Sequence, residues 1–256
     1  MKLVKTLAAA AVLAMSSFAT QASTITVGGV TWDPNYDSGF GVEDFSSVAD
    51  FAQWWSTAPT TGKVITAANL AGATTPGVGE LMGIATIRGI NGFGSGYVCN
   101  TCSLNLVFGG ITASLSGFNV ANSWFKVYSS PVTVDPFSAG KYVQAQQSVT
   151  ATPFLTGKFD LFTLTSGNAS FGQSLAYLSV TGGLAQENFD TNTQNNGKSL
   201  SDLQISGTAN FNGKLFAQGS GMAITGNSVV SAPSSLAILG LGLVGLAGLT
   251  RRKQAK

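Results

Sequence analysis

Apolar and polar residues alternate with a period of two along several stretches of this chain, the signature of half-buried β-strands. In 103–108, Leu104, Leu106 and Phe108 fall on one face. In 81–90, Met82, Ile84 and Ile90 share a side with Thr86 and Arg88 interleaved. Segment 124–128 reads as a strand from its aromatic and β-branched content, and so do 158–165, 174–181, 203–211 and 214–225. Gly109-Gly110, Gly182-Gly183 and Asn212-Gly213 lie between such runs as turns, Asn212-Gly213 being the strongest hairpin signal. One stretch departs from this pattern. Val48, Phe51, Ala52 and Trp55 have helical spacing, with Ser46 or Ser47 available as a cap and Asp50 in the first turn. It predicts a single short helix, or a loop with an aromatic plug, covering one end of a sheet. Segment 188–201, rich in Asn, Thr and Gln, predicts a loop. Eight or more short strands with polar turns predict an all-β, antiparallel sandwich or jelly roll over 23–228.

Both ends of the chain carry a different pattern. Lys2 and Lys5 precede an apolar run from Leu7 to Met15, then small and polar residues ending Thr20-Gln21-Ala22. This is the charged, apolar and small-residue order of a secretory signal peptide, 1–22, cut after Ala22. At the other end, 236–249 is 14 residues without a charge. As a helix it spans about 21 Å, short of the ~30 Å hydrocarbon core of a bilayer. Arg251, Arg252 and Lys253 follow it, where positive-inside logic puts cytoplasmic charge.

Charge changes its meaning once the ends are set aside. Six of the 13 basic residues belong to the termini, which leaves seven against 11 acids in the body. That balance supplies no basic patch for nucleic acid. Glycine is abundant, at 32, but tryptophan and phenylalanine are spread throughout, which argues against low-complexity disorder. The chain has no histidine, which removes Ser-His-Asp and Cys-His catalysis and imidazole ligation. Paired carboxylates remain open to it, but the acids are scattered, and the body is read as non-enzymatic.

Three candidate sites remain. Cys99 and Cys102 form the one cysteine pair. A redox pair needs a helix N-terminus, whereas a strand follows here, so a local disulfide fixing a loop is preferred in an oxidising compartment. Asp33, Asn35, Asp37, Glu43 and Asp44 place oxygen ligands in the manner of a calcium loop, against the competing reading of a turn held by Asx bonds. Calcium is the one cofactor this pattern suggests. Asp190, Asn192 and Gln194 are a weaker version, with Asp202 too far along the chain to complete it. Trp54, Trp55 and Trp124 are candidates for stacking on sugar rings, and equally for filling a core.

The tail, Pro233-Ser234-Ser235-Leu236 running into Leu/Gly/Ala repeats and Arg251-Arg252, resembles the PEP-CTERM sorting signal of Gram-negative bacteria. Ser231-Ala232-Pro233 stands where that family has Pro-Glu-Pro. The resemblance covers 229–256 and implies export by the Sec machinery, recognition by an exosortase, temporary inner-membrane anchoring through the 236–249 helix, and release or transfer to the cell surface or matrix. In the body, Val27 to Pro34, Gly79 to Gly83, Cys99 to Gly110, and Gly182-Gly183-Leu184-Ala185 with Asn188 to Asn192 are similar to flocculation-associated PEP-CTERM proteins. That similarity implies a β-rich structural or adhesive protein acting in exopolysaccharide-associated aggregation or biofilm. The alternative is a carbohydrate-binding module, with or without calcium, that recognises secreted polysaccharide.

Overall fold

The computed structural model describes residues 24–36, 44–91, 102–130, 135–138, 140 and 152–229. The strands, in chain order, are β1 (Ile25–Val27), β2 (Val30–Trp32), β3 (Phe45–Ser56), β4 (Ala73–Thr74), β5 (Glu80–Ile90), β6 (Ser103–Ser114) and β7 (Gly117–Asn119). There follow β8 (Trp124–Ser130), β9 (Leu155–Asn168), β10 (Phe171–Gly182), β11 (Gln194–Asn195), β12 (Leu200–Ser201), β13 (Leu203–Asn210) and β14 (Phe216–Gly226). Short helices span Ala67–Ala71 and Gln186–Phe189.

The long strands β3, β5, β6, β8, β9, β10, β13 and β14 pair antiparallel, each with the next, and β14 returns to pair with β3. The expected all-β class is therefore present, but the sheet is an eight-stranded closed barrel of up-and-down order where a sandwich or jelly roll was expected. Bulges explain the curl. Register shifts occur in β3–β5, β5–β6, β9–β10 and β14–β3, and each extra residue bends and twists its strand. Gly109-Gly110 is one of these shifts and not a turn: both residues oppose Met82 inside β6, and Gly110 takes φ +81°.

An eight-stranded barrel is about wide enough for side chains to fill it. Phe51, Leu106, Phe108, Phe125, Phe159 and Leu178 are among the buried residues of its core. Rings this large are seated against glycine. A Cβ on Gly83 would lie 2.5 Å from the Phe108 ring, and one on Gly157 would lie 2.4 Å from Phe125 and 2.0 Å from the Ser179 carbonyl oxygen. Exposed or half-exposed residues of the wall include Lys158, Gln173, Gln204 and Gln218. Apolar inside and polar outside is the reverse of a barrel that spans a bilayer. Among the described residues, no helix is long and apolar enough to cross a membrane.

The chain plugs one end of the barrel with the β1–β2 hairpin. Trp32 packs on Phe154 and Phe189 at ring-centroid distances of 6.0 and 5.2 Å, and its indole N–H donates to the Ser228 hydroxyl at 3.1 Å. On the outside, residues 57–79 lie over a second apolar cluster of Trp54, Met82, Ile84, Val107 and Trp124, contributing Ile65 to it. The predicted helix over 47–55 is instead the middle of β3. Its inward face joins the core and its outward face lies under this flap, so apolar residues occupy both phases of the alternation.

Candidate functional site

The barrel wall is incomplete where β8 meets β9 over only Phe125↔Gly157 to Val127↔Leu155, and again where β13 meets β14. β13 and β14 pair only from Leu203↔Gly226 to Ser206↔Ala223. Beyond that, β13 continues on β10 alone, from Gly207↔Ser174 to Asn210↔Phe171. β14 meanwhile bulges at Gly221, whose φ of +87° suits glycine, and continues on β3 toward Phe216↔Trp54. The strands diverge toward the five-residue 211–215 connection, where Asn212 (φ +37°) and Gly213 (φ +73°) make the turn that the sequence announced.

The divergence leaves an outward groove of about 340 Å³, lined by Thr165, Gln173, Ser206, Thr208 and Ser220 with the backbone of Gly207 and Gly221. Its lining carries hydroxyl and amide groups and no ionisable side chain. Directly beneath lies an apolar void of about 30 Å³ bordered by Phe51, Phe108, Phe159 and Met222, with Ser174, Gly207 and Thr208 shared between the two. The wall here is one residue thick. A Cβ on Gly207 would make ordinary contact with Met222 at 3.6 Å, whereas one on Gly221 would meet nothing within 4 Å. Phe171, 51% exposed, precedes Gln173 by two residues on β10, and strand alternation gives it the same outward face. Without a titratable group, the lining has no general base to activate its hydroxyls. Its chemistry is that of hydrogen bonding.

The residues that the sequence singled out lie elsewhere. Trp54, Trp55 and Trp124 are 0%, 1% and 2% exposed and offer no face for sugar stacking. Two of them fasten the flap: Trp54 donates to the Asn69 carbonyl at 3.2 Å and Trp124 to the Thr60 hydroxyl at 3.0 Å. Trp55 lies in the barrel core and stacks on Phe118.

The oxygen cluster is not assembled by its described members. Asp33 accepts the Asn35 N–H at 2.9 Å, the Asx turn that competed with calcium. Asp44 turns to the end of β14, accepting the Ser228 N–H while its own N–H donates to the Asn227 side chain at 3.4 Å. Asp37 and Glu43 lie outside the described residues, as do Cys99, the signal peptide, and the tail with Pro233, Ser234, Leu236, Arg251 and Arg252. Cys102 packs half-buried against the core at the start of β6, and no cysteine among the described residues is free.

Asp202 reaches the 190–194 segment through backbone hydrogen bonds. Its carboxylate accepts backbone N–H groups from Thr191 and Asn192 at 2.8 and 2.7 Å and from Val180 at 2.7 Å. Distant in sequence, it pins the loop, and backbone donors occupy both of its carboxylate oxygens. Burial pushes its carboxyl above the usual range while these donors pull it down. Glu80 has a similar role across the outer face. It accepts from the Thr60 N–H at 3.0 Å, the Thr60 hydroxyl at 2.5 Å and the Gly110 N–H at 2.5 Å, holding the flap to the β6 bulge. Neither acid's role is visible in its local sequence, because the partners, backbone N–H groups and for Glu80 also the Thr60 hydroxyl, are brought to it by tertiary folding.

No family model, no curated protein and no solved structure matches this chain.

Proposed function

We propose that this is an exported surface or extracellular-matrix protein, a rigid barrel with a structural or adhesive role in cell aggregation or biofilm. The observation that carries the reading is where the barrel's own ends lie. The leader would end at Ala22, two residues before Thr24, and Ile25 pairs with Trp32. Trp32 bonds Ser228, and the Val229 N–H donates to the Asn188 carbonyl at 2.9 Å, immediately before the tail. Both addressed segments therefore leave the barrel from the end plugged by the β1–β2 hairpin. A barrel tethered there by an apolar tail presents its other end, with the groove facing sideways, away from the membrane.

The tail motif supports processing by an exosortase after Sec export, with a stage of inner-membrane anchoring before transfer to the surface or matrix. In that oxidising setting, Cys99 and Cys102 would close a disulfide at the entrance to β6. Closure into a barrel suits an extracellular body for a separate reason. Each of the eight wall strands pairs with a neighbour on either side, so no wall strand is left as an edge over its whole length. The burial of Trp54, Trp55 and Trp124 favours this structural reading over a tryptophan-based sugar site.

Deletion of 230–256 in the native host tests the proposal. The truncated barrel should fold and appear free in the medium, while the full chain is found on the cell surface or in the matrix. Identical distribution of the two proteins would overturn a sorting role for the tail.

A further inference from the structure

We infer that the groove between β13 and β14 binds a neutral saccharide. Its lining of Thr165, Ser206, Thr208, Ser220 and Gln173 is neutral throughout, and its volume of about 340 Å³ falls within the range of small-molecule sites. Each hydroxyl both donates and accepts, and the amide does the same through separate atoms. That is the complement of a sugar ring, whose hydroxyls also do both. An ionic ligand would lose hydration here with no opposite charge to meet it. The exposed Phe171 ring stands on the same outward face as Gln173, an apolar plane for the C–H face of a pyranose. Apolar surface beside convergent hydrogen-bonding groups is what distinguishes a sugar site from an ordinary solvated strand face.

The groove is also built to stay open. β13 and β14 are each fully paired on their far sides, to β10 and to β3, so the gap cannot close by a simple slip of register. The Gly221 bulge fixes the divergence. An extended peptide lying between the strands is the competing occupant, and neutral oligosaccharide is favoured because the lining places side-chain hydroxyls along the groove.

The test titrates the exported protein, purified from its host, with cello-, malto-, xylo- and galacto-oligosaccharides. Calorimetry and amide chemical shifts are the readouts, and oligouronates and an extended Ser/Val peptide serve as comparison arms. Saturable binding of at least one neutral oligosaccharide is expected, with shifts centred on residues 171–175, 206–208 and 220–221. Phe171→Ala should weaken it about tenfold and Thr208→Val about fivefold, the scale of one lost ring contact and one lost neutral hydrogen bond. Both positions face outward, so the barrel should keep its unfolding midpoint. The inference is overturned by no saturable binding of any neutral oligosaccharide, by shifts elsewhere, by indifference to both substitutions, or by preference for the oligouronate or the peptide. Such a failure would leave the export proposal standing, since deletion of the tail tests that separately.

Discussion

Asp202 and Gly157 show how single residues constrain this barrel. Asp202 satisfies three backbone donors from two segments, and a buried donor left without its acceptor costs about 1–3 kcal/mol. Asp202→Ala should therefore lower unfolding free energy by about 3 kcal/mol in denaturant titrations, with protection of the 190–194 amides lost first. An unchanged midpoint would contradict the pinning role. Gly157 is required by crowding, and Gly157→Ala should cost about 3 kcal/mol by overpacking against Phe125 and the Ser179 carbonyl. Burial also raises the carboxyls of Asp44 and Asp202 above their ordinary value of 3.8. The folded state then holds these protons more tightly than the unfolded one. The resulting stabilisation is fully present below pH 3.8 and lost as pH rises through the raised values. Carbon-detected NMR titration should place both midpoints above 3.8; midpoints at or below it would remove the effect.

Among elements, legibility followed how many faces were buried. β9, β10, β13 and β14 meet solvent on one face for much of their length, keep alternation, and lie where the sequence put them. β3 is covered on both, so Val48, Phe51, Ala52 and Trp55 acquired helical spacing by coincidence. The flap was invisible for a related reason. Residues 57–79 are mostly irregular, and what fixes them is Glu80, Trp54 and Trp124 reaching from neighbouring strands. Glu80→Ala should release this layer and accelerate hydrogen exchange across 57–79 about a hundredfold, while the interior of β9 and β10 stays protected. Equal protection in variant and parent would show that the apolar contacts of Ile65 and Leu70 suffice.

At the scale of the molecule, the sequence announced strands and turns but not closure. A meander becomes a sandwich or a barrel according to accumulated twist, and here the twist arises at bulges such as Gly109-Gly110, which read locally as a turn. The groove escaped notice because Ser206, Thr208, Ser220 and Gln173 are ordinary strand residues until β13 and β14 part. The chain's destination rests on its two ends. Intact-mass spectrometry of the mature protein recovered from the surface or matrix of its host tests it most directly. The expected species begins at Ser23, ends at a cut within 229–256 and lacks the residues after it, and carries two fewer hydrogens for a Cys99–Cys102 bridge. A full-length mass with Met1 and Lys256 both present, in protein recovered from the cytosol, would contradict it.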